Sequence, residues 1–128
     1  MTARLAVGAG CVARAIAFTR GFVGAGRLAP ESADRLVVIV EEWVANIVEH
    51  GRAPAGSLVV LRLERVGSQV RLSFSDAGVA FDIRVAEDTG PNLERGGGAG
   101  IALIKSWSEI ASYERRGGRN RLVLRSRS

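Results

Sequence analysis

The chain has one cysteine, few aromatic residues (5%) and no apolar run long enough to span a bilayer. A lone Cys11 excludes an intramolecular disulfide and a cysteine-based metal cluster, and it fits a reducing cytoplasm. Residues Leu5 to Cys11 are apolar and end in Ala9-Gly10-Cys11, the outline of a lipoprotein cleavage site. The segment is too short, and Gly8 sits where a large aliphatic side chain would be wanted, so it reads as the start of the mature fold. No membrane association is expected. What is present is 128 residues, 47% hydrophobic and 24% charged, the size and balance of one soluble domain spanning 1–128, with helices on a sheet around a single core.

The sparse aromatics also bear on the net charge of +5, much of it near the C-terminus in Arg115, Arg116, Arg119, Arg121, Arg125 and Arg127. In a strand, Leu122 and Leu124 face one side while Arg119, Arg121, Arg125 and Arg127 face the other, as on a solvated sheet face. No aromatic residue is interleaved with the arginines and no nucleic-acid motif is present. Direct nucleic-acid binding is therefore not expected, and an acidic protein partner is favoured.

Periodicity divides the chain. Residues 2–7 suit a short edge strand, followed by a helix over about 9–23 with Val12, Ile16 and Phe18 among its apolar positions and Gly24-Ala25-Gly26 as its stop. Pro30-Glu31-Ser32 opens a second helix that Gly51 and Pro54 end near His50. Ser57 to Arg65 and Gln69 to Asp76 alternate as a hairpin around Val66-Gly67-Ser68. Little periodicity follows from Val79 to Gly98. Then Gly100 to Trp107 reads as a helix, and Glu109 to Arg116 with Arg119 to Arg127 as a second hairpin around Gly117-Gly118.

Three features carry chemistry. In the second helix, Glu42, Asn46 and His50 are spaced i, i+4, i+8 and form one stripe. Leu36, Val40, Trp43, Val44 and Ile47 make the core face, so the stripe looks toward water or a ligand. A carboxylate and an amide oxygen one turn apart suit a hard cation such as magnesium, together with a base for a hydroxyl or water. An ordinary solvated helix face has the same pattern. Second, Val70, Leu72 and Phe74 share a strand face on which Asp76 continues. A carboxylate on a core-facing parity must find donors or change protonation; alternatively Asp76 begins the turn with Ala77-Gly78.

Third, the glycines at 96–98 and Gly100 run into a helix start, where free N–H groups and the positive dipole end suit phosphate. A P-loop would need glycine before Lys105, where Ile104 stands. A dinucleotide fingerprint would need a strand directly before the glycines. Neither motif is present, and a plain flexible linker is the alternative.

The order of these features resembles the Bergerat-fold (histidine-kinase-like) ATPases, and among them the bacterial anti-sigma factor serine/threonine kinases of the RsbW type. The matching residues are Glu42, Asn46, His50 and Gly51, then Asp76-Ala77-Gly78 with Phe81-Asp82, and Gly98-Ala99-Gly100-Ile101-Ala102-Leu103-Ile104. The closing Tyr113 to Asn120 also looks like that family. The resemblance covers nearly the whole chain and implies an α+β fold, a two-layer sandwich of a mostly antiparallel sheet with helices on one face, and an ATP lid over about 79–98. It implies ATP and magnesium as cofactors. Asn46 would hold the metal, Glu42 would be the catalytic base for a serine hydroxyl, and Asp76 would accept from the adenine amino group. Gly78 would let the backbone approach the base. Gly98, Ala99, Gly100 and Ile101 would line the nucleotide, with Gly98 and Gly100 freeing the lid and aiming N–H groups at the phosphates. His50 reads as a capping or packing residue. Ala102 stands where glycine is frequent, and Leu122 where many relatives have a hydroxyl near adenine.

By the same resemblance the protein is a cytoplasmic transcription regulator that phosphorylates an anti-sigma factor antagonist and sequesters a sigma factor. A homodimer through the sheet is usual in the family. An ATP-binding partner switch without phosphotransfer is the alternative, and a nucleotide-independent protein-binding domain is the third reading.

Overall fold

Alternating apolar residues pair five strands into one antiparallel sheet, and the helices between them bury their apolar stripes on one side of it. The computed structural model describes residues 1–85 and 99–127. The elements run β1 (Thr2–Ala6), α1 (Cys11–Gly26), α2 (Pro30–His50), β2 (Leu58–Val66), β3 (Gln69–Asp76), α3 (Ala99–Trp107), β4 (Ser108–Arg116) and β5 (Arg119–Ser126), with a 3₁₀ turn at Ile83–Val85. The sheet order is β1-β2-β3-β5-β4. This is the expected α+β arrangement. No helix among the described residues is long and apolar enough to cross a membrane.

The core lies between sheet and helices. Leu61, Leu63, Leu72, Phe74, Leu122 and Leu124 floor it from the strands, and Leu36, Ile39, Val40, Trp43, Val44 and Ile47 cover it from α2. Each such side chain contributes about 1.5–3 kcal/mol on burial. The long apolar face of α2 therefore fixes its rotation, and with it the direction in which Glu42 and Asn46 point. At the β4–β5 turn both Gly117 (φ 60) and Gly118 (φ 76) are left-handed, as a type I′ hairpin requires.

Helix α1 departs from expectation. Gly10 sits at φ 82 ahead of Cys11, so the helix cannot begin at Ala9, and it runs through the glycines to Gly26. Arg27, at φ 52, ends it, and the Arg65 guanidinium donates to the Gly26 carbonyl. Tertiary capping thus overrides the weak helix propensity of glycine. Its buried stripe is Cys11, Ala15, Thr19 and Phe22, with Val12 and Phe18 only on its shoulders.

Candidate functional site

Parity along β3 delivers Asp76 to the core side, where it is 4% exposed. It has found donors: Oδ1 accepts from the Gly78 N–H (2.8 Å) and from Asn120 Nδ2 (3.2 Å). Antiparallel pairing puts Asn120 of β5 directly opposite Asp76. Asn120 Nδ2 also donates to the carbonyls of Val79 (2.8 Å) and Gly78 (3.3 Å). Its Oδ1 accepts from the Tyr113 hydroxyl and from Arg115 Nη1. The amide is thus oriented unambiguously, with donors on one side and acceptors on the other. Asp76 Oδ2 has no hydrogen-bond partner among the described residues, which leaves one acceptor directed by a fully engaged frame.

That acceptor belongs to the wall of a cavity lined by Trp43, Asn46 and Ile47 of α2, by Phe81, and by Tyr113 and Leu122 of the sheet. Leu122 supplies an apolar wall, and the polar groups come from Asp76, Asn46, Asn120 and Tyr113. Gly78 lets the end of β3 approach the C-terminal end of α2 closely. The Val79 N–H donates to the Gly51 carbonyl at 2.7 Å, and a Cβ on Gly78 would lie 2.6 Å from that oxygen. The cavity holds about 10 Å³, room for one water. Trp43 and Phe81 close it with ring centroids 5.8 Å apart. The Phe81 N–H donates to the Tyr113 hydroxyl (3.2 Å), and Arg84, paired with Asp82 at 2.7 Å, lies over the Tyr113 ring. The Trp43 indole N–H is buried without a hydrogen-bond partner among the described residues.

One turn before Asn46, the Glu42 carboxylate meets the start of α3. A Cβ on Gly100 would overlap Glu42 Oε2, so a larger residue there would push the carboxylate aside. Burial raises the Glu42 pKa above the ordinary glutamate value, and the neighbouring Glu41 and Glu49 add to the rise. Ala99 is the first residue of α3, Ile101 packs against the core, and Ala102 lies half-buried in the same helix. Gly98 lies outside the described residues, as does the part of the expected lid from 86 to 98. His50 ends α2 without lining the cavity; its Nε2 is buried, 3.8 Å from Glu49 Oε2, and makes no hydrogen bond among the described residues.

A model of the histidine kinase-like ATPase domain matches residues 8–126. The chain belongs to the histidine kinase-like ATPase domain family. Within it, the chain is 33% identical over 100 residues to the serine/threonine-protein kinase BtrW of Bordetella bronchiseptica, covering 73% of this chain and 69% of that one. Its fold is similar to the crystal structure of the RsbU and RsbW domains of a Mycobacterium tuberculosis protein, with a TM-score of 0.68 at 20% identity over 99% of this chain. This ATPase domain spans 31% of that longer chain. It is also similar to a structure of the SiaB-SiaC complex from Pseudomonas aeruginosa (TM-score 0.58, 17% identity, covering 98% of this chain and 88% of that one).

The donor set fits the nucleotide that an ATPase domain implies: a buried carboxylate with one open oxygen, a glycine cradle at Gly78, and an amide oxygen at Asn46 in the same wall. No group of three or more histidine, cysteine or acidic side chains assembles a metal cage among the described residues. Magnesium held chiefly by phosphates and water needs no such cage. Sequence reasoning included Asn120, Tyr113 and Arg115 in the resemblance but gave them no role at the site. Asn120 shares the core-facing parity of Leu122 and Leu124, and the argument that singled out Asp76 applies to it equally.

Proposed function

We propose that this chain is an ATP-dependent protein serine/threonine kinase that phosphorylates an anti-sigma factor antagonist and, while the antagonist is phosphorylated, holds a sigma factor in the cytoplasm. The observation that carries this reading is the Glu42 carboxylate: its pKa is raised, and it sits against Gly100 one turn from the Asn46 of the cavity wall. A general base works best when its pKa approaches the operating pH. Glu42 takes the proton of a serine hydroxyl as that oxygen becomes the nucleophile. Asn46 holds magnesium, and Asp76 Oδ2 accepts from the exocyclic amine of adenine. Bound ATP supplies the phosphoryl group. The kinase name of the Bordetella relative supports the assignment. Phosphate on the antagonist weakens its docking through charge and desolvation.

The closed cavity favours a second reading. About 10 Å³ is far below the roughly 300 Å³ of a small ligand pocket. Entry of a base therefore requires Phe81 to leave Trp43, which couples nucleotide binding to the chain that follows Phe81. A module using only that coupling would switch partners without transferring phosphate. Labelled-phosphate transfer from magnesium ATP into small proteins of the source-cell extract, comparing wild type with Glu42→Ala, separates the two. A labelled band formed only by wild type establishes the kinase. Confirmed ATP binding with no band from either protein establishes the switch.

A further inference from the structure

The polar side chains that β4 and β5 contribute to the cavity wall are all engaged. Asn120 is bonded at both its oxygen and its nitrogen, and the Tyr113 hydroxyl donates to Asn120 while it accepts from the Phe81 N–H. Asp76 Oδ1 accepts twice, which leaves Oδ2 open. On the helix side the Trp43 indole N–H is the buried donor with no partner among the described residues. Trp43 is 3% exposed, and a buried indole ordinarily finds an acceptor for its single donor. Left unmet, that donor costs free energy that a phenylalanine or leucine filling the same space would not.

Trp43 belongs to the wall that an incoming base would meet. Trp43, Asn46 and Ile47 are spaced i, i+3, i+4 on α2, and all three line the cavity to which the sheet contributes Asp76. Helix α2 holds Trp43 in the core, whereas Phe81, the ring packed against it, lies in the irregular stretch between β3 and the 3₁₀ turn. Phe81 is therefore the ring that gives way when the cavity opens. Its face is at best a weak acceptor for an N–H, and Ile47 and Leu122 have no polar side-chain atom.

We propose that Trp43 is a specificity residue for the base: its indole N–H donates to a ring nitrogen of adenine beside the exocyclic amine that Asp76 Oδ2 accepts from. The inference rests on the ATP reading of this cavity and adds a second recognition group to it. One open acceptor and one open donor in a single small cavity are the complement of adenine, whose amine donates and whose flanking ring nitrogens accept. Asp76 alone reads an amine; the pair reads an amine next to a ring nitrogen. Glu42 and Asn46 carry the phosphate end of the reaction, so Trp43→Phe should raise KM for ATP and leave kcat unchanged.

The test titrates the full isotope-labelled chain with magnesium ATP and with its 1-deaza, 3-deaza and 7-deaza analogues, each of which lacks one ring nitrogen. Trp43 and Trp107 are the two tryptophans, so Trp107→Phe assigns their indole resonances. The Trp43 indole N–H signal should move downfield with ATP and with the 3-deaza analogue. With either the 1-deaza or the 7-deaza analogue it should not, and that analogue should bind about fivefold more weakly than ATP. In Trp43→Phe the same analogue and ATP should bind alike, the coupling that a double-mutant cycle isolates. A merely structural role would instead weaken ATP and all three analogues by one factor, and that result overturns the proposal. So does a loss confined to the 3-deaza analogue, or a deaza loss that persists in Trp43→Phe. An indole signal that ATP leaves in place overturns it without any variant at position 43, whether or not Trp43→Phe folds. ATP binding with an unmoved indole removes this inference alone, whereas no binding by ATP or any analogue removes the ATP reading with it.

Discussion

Asp76→Asn separates the two duties that the structure gives this carboxylate. Oδ1 is engaged by the Gly78 N–H at 2.8 Å and by Asn120 Nδ2 at 3.2 Å, and the amide oxygen of an asparagine can keep both contacts. The amide nitrogen then replaces Oδ2, the oxygen with no partner among the described residues. Two hydrogen bonds lose their charge assistance, about 0.5–1 kcal/mol each, and release from burying an ion offsets part of that loss. Stability should therefore fall by no more than about 1 kcal/mol, read as a small shift in the urea midpoint. Binding should change far more. A donor now faces the adenine amino group, and losing a hydrogen bond to a charged acceptor costs about 1.5–3 kcal/mol, or roughly one to two decades in Kd. Guanine offers a carbonyl where adenine has its amine, so the preference for ATP over GTP should narrow at the same time. Calorimetric titration of wild type and variant with each magnesium nucleotide measures both effects. ATP affinity within a factor of about two of wild type, in a folded variant, would show that Asp76 does not read the base.

Glu42→Gln should abolish transfer while leaving most ATP affinity. In wild type the base must be deprotonated and its pKa is raised, so the acid limb of the rate profile should lie above the ordinary glutamate range; a limb at the usual value would contradict the burial argument. The stability sign follows from the same shift. The folded state binds this proton more tightly than the unfolded chain, so the ionised group opposes folding above the folded pKa and is relieved as pH falls through it. Glu42→Gln should consequently raise the urea midpoint at neutral pH. Gly78→Ala would place a methyl 2.6 Å from the Gly51 carbonyl and 2.9 Å from Asp76 Oδ1, and since backbone cannot swing aside, about 1–3 kcal/mol should be lost; an unchanged midpoint would refute the close approach. Asn120→Ala leaves the Val79 carbonyl and Asp76 Oδ1 each short of a donor. It should cost about 1–3 kcal/mol and weaken ATP more than Tyr113→Phe does, a ranking that calorimetry checks.

The legible parts of the site were those whose evidence is local. Period-two alternation carries Asp76 to the core face without knowledge of any other strand, and period-3.6 spacing puts Glu42 and Asn46 on one stripe of α2. Asn120 becomes meaningful only once β5 is known to lie beside β3 in a register that sets it opposite Asp76, forty-four residues away. Tyr113 and Arg115 were less visible still. A register shift between Ile110 and Ser112 reverses the alternation of β4, so the same strand sends Ile110 to the core before the irregularity and Tyr113 to the cavity after it. A strict period of two across β4 counts Ala111 like any other residue and so puts Tyr113 on the opposite face from Ile110, away from the cavity.

The contact between Glu42 and Gly100 illustrates the same limit from another side. The sequence marks Gly100 as a residue that frees the backbone for phosphate, and Glu42 as a base, as two separate features. Packing of α3 against α2 brings them together: the missing Cβ of Gly100 leaves the space in which the Glu42 carboxylate sits, and burial of that carboxylate, with Glu41 and Glu49 beside it, raises its pKa. A side chain at position 100 would therefore act on the chemistry of the base as well as on the helix start. Gly100→Ala should depress transfer more than ATP affinity, because the methyl displaces Glu42 and leaves Asp76 and Asn46 in place. Equal losses in both would mean that Gly100 serves the phosphates alone.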